Sequence, residues 1–247
     1  LSKTIGEAPA ASSEELQIKV LQLEKRLEFL HTRLHNPRWF AIEELGGYLV
    51  GAELTGDYCE FGVYRGNTFG HCLRICNEAL PKMRYIAFDS FQGLPPPKGI
   101  DAENGFSSHF HEGEFACDEK TFLENVKNNF HSNLSKVKTV PGWFNESLTK
   151  ETAAKINLTH VAAAWIDGDL YESTVPVLDF LTDKLSIGTA IIFDDWHVYR
   201  NLPTKGAQLA CREWLEKNPG LKLAPLFSFG HHGEIFTVEQ LPSTPKS

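Results

Sequence analysis

Ala163-Ala164-Trp165-Ile166-Asp167-Gly168-Asp169 and, one helix further on, Ala190-Ile191-Ile192-Phe193-Asp194-Asp195 are two short apolar runs that end directly in carboxylates. Runs of this length flanked by turn signals read as buried central strands of a parallel sheet. Residues 174–185 supply the crossover helix between them. Parallel neighbours joined by one crossover put both carboxyl ends on the same rim, where open α/β sheets bind ligands. That geometry gathers Asp167, Asp194 and Asp195. A single Asp after a strand is as well explained by helix N-capping. Three crowded carboxylates repel, however, and must protonate unless a hard divalent cation such as Mg²⁺ or Ca²⁺ sits among them. The two strand ends taken together predict a metal site.

At 247 residues the chain fits one α/β domain with an appendage. A net charge of −8 without a basic cluster argues against nucleic acid or an anionic membrane surface as partner. No stretch approaches the roughly 20 apolar residues of a membrane span, and the N-terminus lacks a charged-then-apolar signal pattern. A cytoplasmic protein with a small-molecule or protein partner is expected. The first residue is Leu rather than Met, which suggests a processed or excised chain. The cysteines, Cys59, Cys72, Cys76, Cys117 and Cys211, are odd in number and form no CxxC pair, so buried thiols are expected rather than disulfides or a zinc ribbon. Without a secretory signal the sequons at Asn133, Asn145 and Asn157 carry little meaning.

Along the chain, residues 1–12 read as a disordered tail and 242–247 as a loose one. Between them, 13–52 forms a helical segment and 53–241 the main domain. Leu16, Val20, Leu23, Leu27, Leu30 and Leu34 repeat in steps of four and three until Asn36-Pro37. This seam serves either self-association or packing on the chain's own domain, and a second helix follows at 39–51. Gly56 to Thr68 is a short strand that turns through Gly62 and Gly66 into a helix reaching about Leu80, and 84–88 is a strand closing on Asp89. Glycines where a ligand must approach the backbone, with an acid after the second strand to take ribose hydroxyls, give nucleoside-cofactor geometry. The spacing is not GxGxxG and no Walker lysine is present. Residues 90–117 read as a structureless lid carrying His109 and His111, which are either a metal pair or solvent-facing. A helix at 119–130, a strand at 136–140, a helix at 206–217 and a terminal hairpin of strands at 221–227 and 234–238 complete the pattern.

Five ordered blocks carry a family resemblance: Glu60-Phe61-Gly62-Val63-Tyr64-Arg65-Gly66; Phe88-Asp89-Ser90-Phe91-Gln92-Gly93-Leu94-Pro95; Gly142-Trp143-Phe144; Ile166-Asp167-Gly168-Asp169-Leu170-Tyr171-Glu172-Ser173-Thr174; and Phe193-Asp194-Asp195-Trp196. On these, over about 56–214, the chain resembles the class I S-adenosylmethionine-dependent methyltransferases and, within them, the macrocin O-methyltransferase (TylF/MycF) family. The resemblance implies a Rossmann-like α/β fold: a mostly parallel seven-stranded sheet, an antiparallel terminal hairpin and the N-terminal helical extension. It further implies that Glu60, Phe61, Gly62, Tyr64, Arg65, Asn67 and Thr68 hold the methionine part of the cofactor, with N–H groups at the helix start taking its carboxylate. Asp89 would take the ribose; Ser90, Gly142 and Trp143 would lie near the adenine; and Asp167 would border the cofactor. Asp167, Asp194 and Asp195 match the family's Mg²⁺ ligands, in agreement with the charge argument.

The implied activity is Mg²⁺-dependent methylation of a hydroxyl on a sugar or aromatic group of a specialised metabolite, as in antibiotic biosynthesis. A protonated hydroxyl is a poor nucleophile, so a metal and a general base are needed. His197 is the first candidate for the base, since an ordinary pKa of about 6.5 suits the task; Asp167 and Asp169 are the alternatives. Many relatives carry Asp-Asp-Tyr-Gly where this chain has Asp194-Asp195-Trp196-His197. Two other readings are a non-catalytic cofactor-binding or assembly module, and a divalent-metal hydrolase that leaves the glycine turn unexplained. A homo-oligomer joined through the 13–35 helix is the expected assembly.

Overall fold

Every side chain of the strand β4 (Val161–Ile166) is buried, as its uniform apolar character demands. The same holds for β5 (Ala190–Phe193), and β1 (Asp57–Phe61) is buried throughout as well although it carries Asp57 and Glu60. The computed structural model describes residues 12–102 and 110–242. With β2 (Tyr85–Asp89), β3 (Val137–Pro141), β6 (Lys222–Phe229) and β7 (Gly233–Gln240), these strands make one seven-stranded sheet ordered β3-β2-β1-β4-β5-β7-β6. The first five are parallel, and β7 and β6 are antiparallel. Chain order reverses between β1 and β4, which opens a crevice at their carboxyl ends.

The period-two alternation of each strand divides the core into two layers. Cys59, Phe61, Ile191 and Phe193 face α7 (Lys150–Ile156), α8 (Tyr171–Leu181) and α9 (Gly206–Lys217). Tyr58, Trp165 and Ile192 face α2 (Pro37–Gly51), α3 (Asn67–Ala79) and α5 (Glu119–Asn129). Small residues at 162–164 leave room for the fully buried Trp165.

The second helix belongs to this core. Its start is set by Pro37 in the first turn and by Asn36, whose side-chain oxygen accepts from the Trp39 N–H. Ala41, Ile42, Leu45 and Leu49 are fully buried, and Trp39 stacks on His71 of α3 with ring centroids 4.4 Å apart. Thus α2 packs with the sheet in one core, and α1 (Ser13–His35) precedes it. Along α1, Leu16, Val20, Leu23, Leu27 and Leu30 are 49–67% exposed, so the seam does not pack on its own domain. The side chain of Leu34 lies outside what is described.

The segment expected to be a structureless lid is pinned at several points. Backbone hydrogen bonds tie Leu94 to Glu114 and to Gly113: Leu94 N–H donates to Glu114 O at 2.8 Å, and Gly113 N–H donates to Leu94 O at 2.9 Å. Leu94 and Phe110 pack with Leu170 and Tyr199. Asp101, on the short helix α4 (Gly99–Ala102), accepts from the N–H groups of Tyr171 and Glu172 and so caps α8 from a distant part of the chain. His111 is exposed on this segment, and His109 lies outside the described residues. A further short helix, α6 (Phe144–Ser147), follows β3.

Candidate functional site

The ladder hydrogen bonds do not stop where the strands end. Asp167 N–H donates to Phe61 O at 2.8 Å, and Asp194 N–H donates to Ile166 O at 2.9 Å. The parallel register, Phe61 beside Ile166 and Ile166 beside Phe193, thus fixes Asp167 and Asp194 at the same level of the rim. One carboxylate oxygen from each of Asp167, Asp194 and Asp195 lies within 4.8 Å of the others. This is the cluster expected from the strand ends.

Burial is the first cause raising the carboxyl pKa values of Asp167, Asp169 and Asp195 well above the usual range. Repulsion adds to it: from Asp194 and Asp195 on Asp167, from Asp167 and Asp194 on Asp169, and from Asp169 and Asp194 on Asp195. The main compensating cation is Arg38, on the first turn of α2. Its Nε lies 2.8 and 3.0 Å from the two oxygens of Asp194, and its Nη2 also bonds Oδ2. Burial works against the guanidinium charge, but Asp194, Asp167 and Asp195 outweigh it and raise its pKa. His232 stands beside Asp194, with Nδ1 2.8 Å from the Asp194 carbonyl oxygen, and burial lowers its pKa despite that neighbour. Oxygen donors in excess of nearby positive charge suit a hard cation such as Mg²⁺ or Ca²⁺.

Above the triad opens a cavity of about 760 Å³, lined by the loops that leave β1, β2, β3 and β4. Gly62, Tyr64, Arg65, Asn67 and Thr68 line it after β1; Asp89 and Ser90 after β2; Trp143 after β3; Asp167 and Asp169 after β4. Gly62 has φ +88°, and a Cβ there would lie 1.9 Å from the Asp167 carbonyl oxygen, so only glycine allows the two loops to approach. Asp89 knits the loops together by accepting from Val63 N–H at 2.7 Å and Phe91 N–H at 2.7 Å. Burial raises its pKa, and these bonds pull the other way.

Other expected site residues fall outside the cavity lining. Phe61 is core, stacked on Phe88 at 4.7 Å, and Gly142 serves the backbone by donating its N–H to Asp89 O at 2.9 Å. His197 is directed elsewhere: Nδ1 lies 2.9 Å from Asn201 Oδ1, and Nε2 lies 3.4 Å from Glu234 Oε2 on β7. Asp169 is better placed. Its N–H donates to Asp195 Oδ2 at 3.1 Å, its carbonyl accepts from the Tyr199 hydroxyl at 2.9 Å, and φ is +58°. Arg38, Tyr199 and His232 carry no local sequence signal, because their partners are remote in the chain.

Glu60 sits just below the cavity floor, fully buried, accepting from the Tyr58 hydroxyl at 2.5 Å and the Thr68 hydroxyl at 2.8 Å. Burial pushes its carboxyl from 4.5 up to about 8, against the pull of those two bonds, with Asp194 and Asp89 adding to the rise. The folded state therefore holds this proton more tightly than the unfolded one. Its stabilising contribution is complete below about pH 4.5 and is lost as pH rises through about 8. Glu60→Gln keeps an acceptor for Tyr58 and offers a donor to Thr68. Thermal unfolding at about pH 5 and pH 8.5 is expected to show a smaller alkaline loss in the variant than in the wild type; equal losses would mean that Glu60 is ionised in the fold.

The profile of the macrocin-O-methyltransferase (TylF) family matches residues 28–214. Demethyldecarbamoylnovobiocin O-methyltransferase of Streptomyces niveus is 30% identical over 173 residues, which cover 67% of this chain and 62% of that protein. Mycinamicin III 3''-O-methyltransferase of Micromonospora griseorubida is 32% identical over 148 residues, 58% of this chain and 56% of that protein. The chain thus matches less than two thirds of the length of these curated relatives. Among solved structures, the O-methyltransferase NovP superposes with a TM-score of 0.67 at 24% identity, covering 82% of this chain and 80% of that one. The calicheamicin methyltransferase CalS11 gives 0.63 at 20% identity, covering 96% and 99%. These structures share the Rossmann-like sheet with its antiparallel end. The extent of the profile match decides the family: the chain belongs to the macrocin-O-methyltransferase (TylF) family.

Proposed function

We propose that the chain is an S-adenosylmethionine-dependent O-methyltransferase that uses a divalent cation held by Asp167, Asp194 and Asp195. The acceptor is a hydroxyl on a sugar or aromatic group of a specialised metabolite, the class to which the family relatives' names point. One observation carries the reading: a nucleoside-sized cavity at the switch point of the sheet is lined by Asp167, the half-buried member of a carboxylate triad whose other two members, Asp194 and Asp195, are buried. When bound, S-adenosylmethionine supplies a methyl already activated on sulfonium, and Mg²⁺ supplies the acidity that favours the deprotonated acceptor oxygen and orients it.

The chain's own residues do the rest. N–H groups of the turn at 64–68 receive the methionine carboxylate at the start of α3. Asp89 accepts from the ribose hydroxyls, and Ser90 and Trp143 border the base. Asp169, which lines the cavity next to the triad, accepts the proton of the acceptor hydroxyl. The pinned segment carrying Leu94, Glu112 and Phe115 closes the cavity from above and excludes water. A catalytically silent module has no need of several buried, mutually repelling acids, which favours the enzyme reading over an assembly module. The exposed seam of α1 supports self-association as part of the same reading.

The test is calorimetric titration of the chain with S-adenosylmethionine and with its demethylated product, with and without Mg²⁺. Micromolar binding, about −8 kcal/mol, is expected for both. Absence of binding under either condition would remove the methyltransferase reading.

A further inference from the structure

We propose that Arg38 is a displaceable counter-cation: it holds Asp194 in place of a divalent ion and must release it when an ion enters the triad. The inference rests on the metal reading above and adds a residue that competes with the metal. Asp194 is fully buried, with its backbone fixed in the sheet ladder, so it cannot leave the site. Left without a positive partner it would be a buried, uncompensated charge. Arg38 supplies that partner side-on: Nε reaches both carboxylate oxygens, at 2.8 and 3.0 Å, and Nη2 bonds one of them.

This grip conflicts with coordination. A hard divalent ion binds carboxylate oxygen at about 2.0–2.6 Å, which would set it against a guanidinium already contacting both oxygens of Asp194. Like charges so close in a buried place exclude one another. The side that can yield is Arg38. Its side chain is 41% exposed, against 0% for Asp194, and it lines the large cavity into which its head can swing. Arg38 stands in the first turn of α2, directly after the α1–α2 joint, so its release frees that turn from the sheet while the buried face of α2 stays packed. The charge balance of the site is then kept in both states: by arginine in one, by the ion in the other.

Calorimetric titration of the chelator-stripped chain with MgCl₂, for wild type, Arg38→Gln and Arg38→Lys, tests this, with thermal unfolding of each in chelator and in saturating Mg²⁺. Removing the competitor should tighten Mg²⁺ binding about tenfold in Arg38→Gln. Its melting point should fall below wild type in chelator and recover in Mg²⁺. Arg38→Lys keeps a charge but not the fork, which secures a folded comparison, and should bind Mg²⁺ with an affinity between the two. Equal or weaker Mg²⁺ binding by Arg38→Gln, in a protein that melts cooperatively, would overturn the role of Arg38 and leave the metal site standing. No Mg²⁺ binding by any of the three would overturn the metal reading and this inference with it.

Discussion

Asp169→Asn is expected to lower the turnover rate of methyl transfer by about 10²–10⁴-fold, the usual worth of a positioned general base. The substitution keeps shape and removes only the capacity to take a proton. Binding of S-adenosylmethionine should change little, because Asp169 is not among the residues assigned to the cofactor. The expectation rests on how tightly Asp169 is held. A left-handed backbone at φ +58° directs the residue toward the cavity, Asp195 takes its N–H, and Tyr199 bonds its carbonyl. Holding a rare backbone conformation from both sides is how a fold presents one side chain at a fixed point. His197→Ala serves as the control. With its ring nitrogens turned to Asn201 and Glu234, it should stay within a few-fold of wild type. Steady-state rates for both variants decide the matter: near-normal turnover in Asp169→Asn beside a large loss in His197→Ala would return the base to His197.

The difference between these two residues illustrates what a sequence can and cannot disclose. Strands β4 and β5 were legible because burial on both faces leaves a continuous apolar run, and the parallel connection then puts their terminal acids on one rim. The glycine turn after β1 was legible because Gly62 has no room for a side chain. His197 follows Asp195 by two positions, yet proximity along a turn is not proximity in space. Trp196 packs on Phe193 and Phe236, both with centroids 4.8 Å away, and the chain leaves the rim toward β7, where Glu234 waits. Glu60 was read as a cofactor ligand from its place beside the turn, whereas strand alternation sets it on the Tyr58 side, under Thr68. Two short helices, α6 and α7, escaped notice because four and seven residues are too few to display a helical period. In the structure α7 is capped by Thr149, which accepts from Thr152 N–H, and by Asn157 in the left-handed region, whereas Trp143 makes no side-chain cap bond at the start of α6. Arg38 left no signal at all. Its partner Asp194 lies 156 positions away, and nothing in the first turn of a helix announces a salt bridge at that distance.

Asp194→Ala is expected to abolish metal-dependent methyl transfer while leaving cofactor binding intact. Asp194 does not line the cavity, so the contacts assigned to S-adenosylmethionine survive the change. What disappears is one of three acids whose oxygens lie within 4.8 Å of one another. Loss of a supporting partner alone costs a metal site about 10–100-fold in affinity, and loss of a ligand should cost more, so Mg²⁺ binding should fall beyond calorimetric detection. The fold should tolerate the substitution. Removing a fully buried charge relieves repulsion on Asp167, Asp169 and Asp195, and Arg38, with 41% of its side chain exposed, can turn to water instead of standing unpaired. A melting point in chelator no lower than wild type, together with unchanged S-adenosylmethionine affinity and no Mg²⁺-dependent product, is the expected set of results. Wild-type turnover in this variant would remove the cation from the mechanism and leave Asp169 to act on the acceptor alone. The triad would then be an electrostatic support for Arg38, and the methyl acceptor would be oriented entirely by the cavity wall.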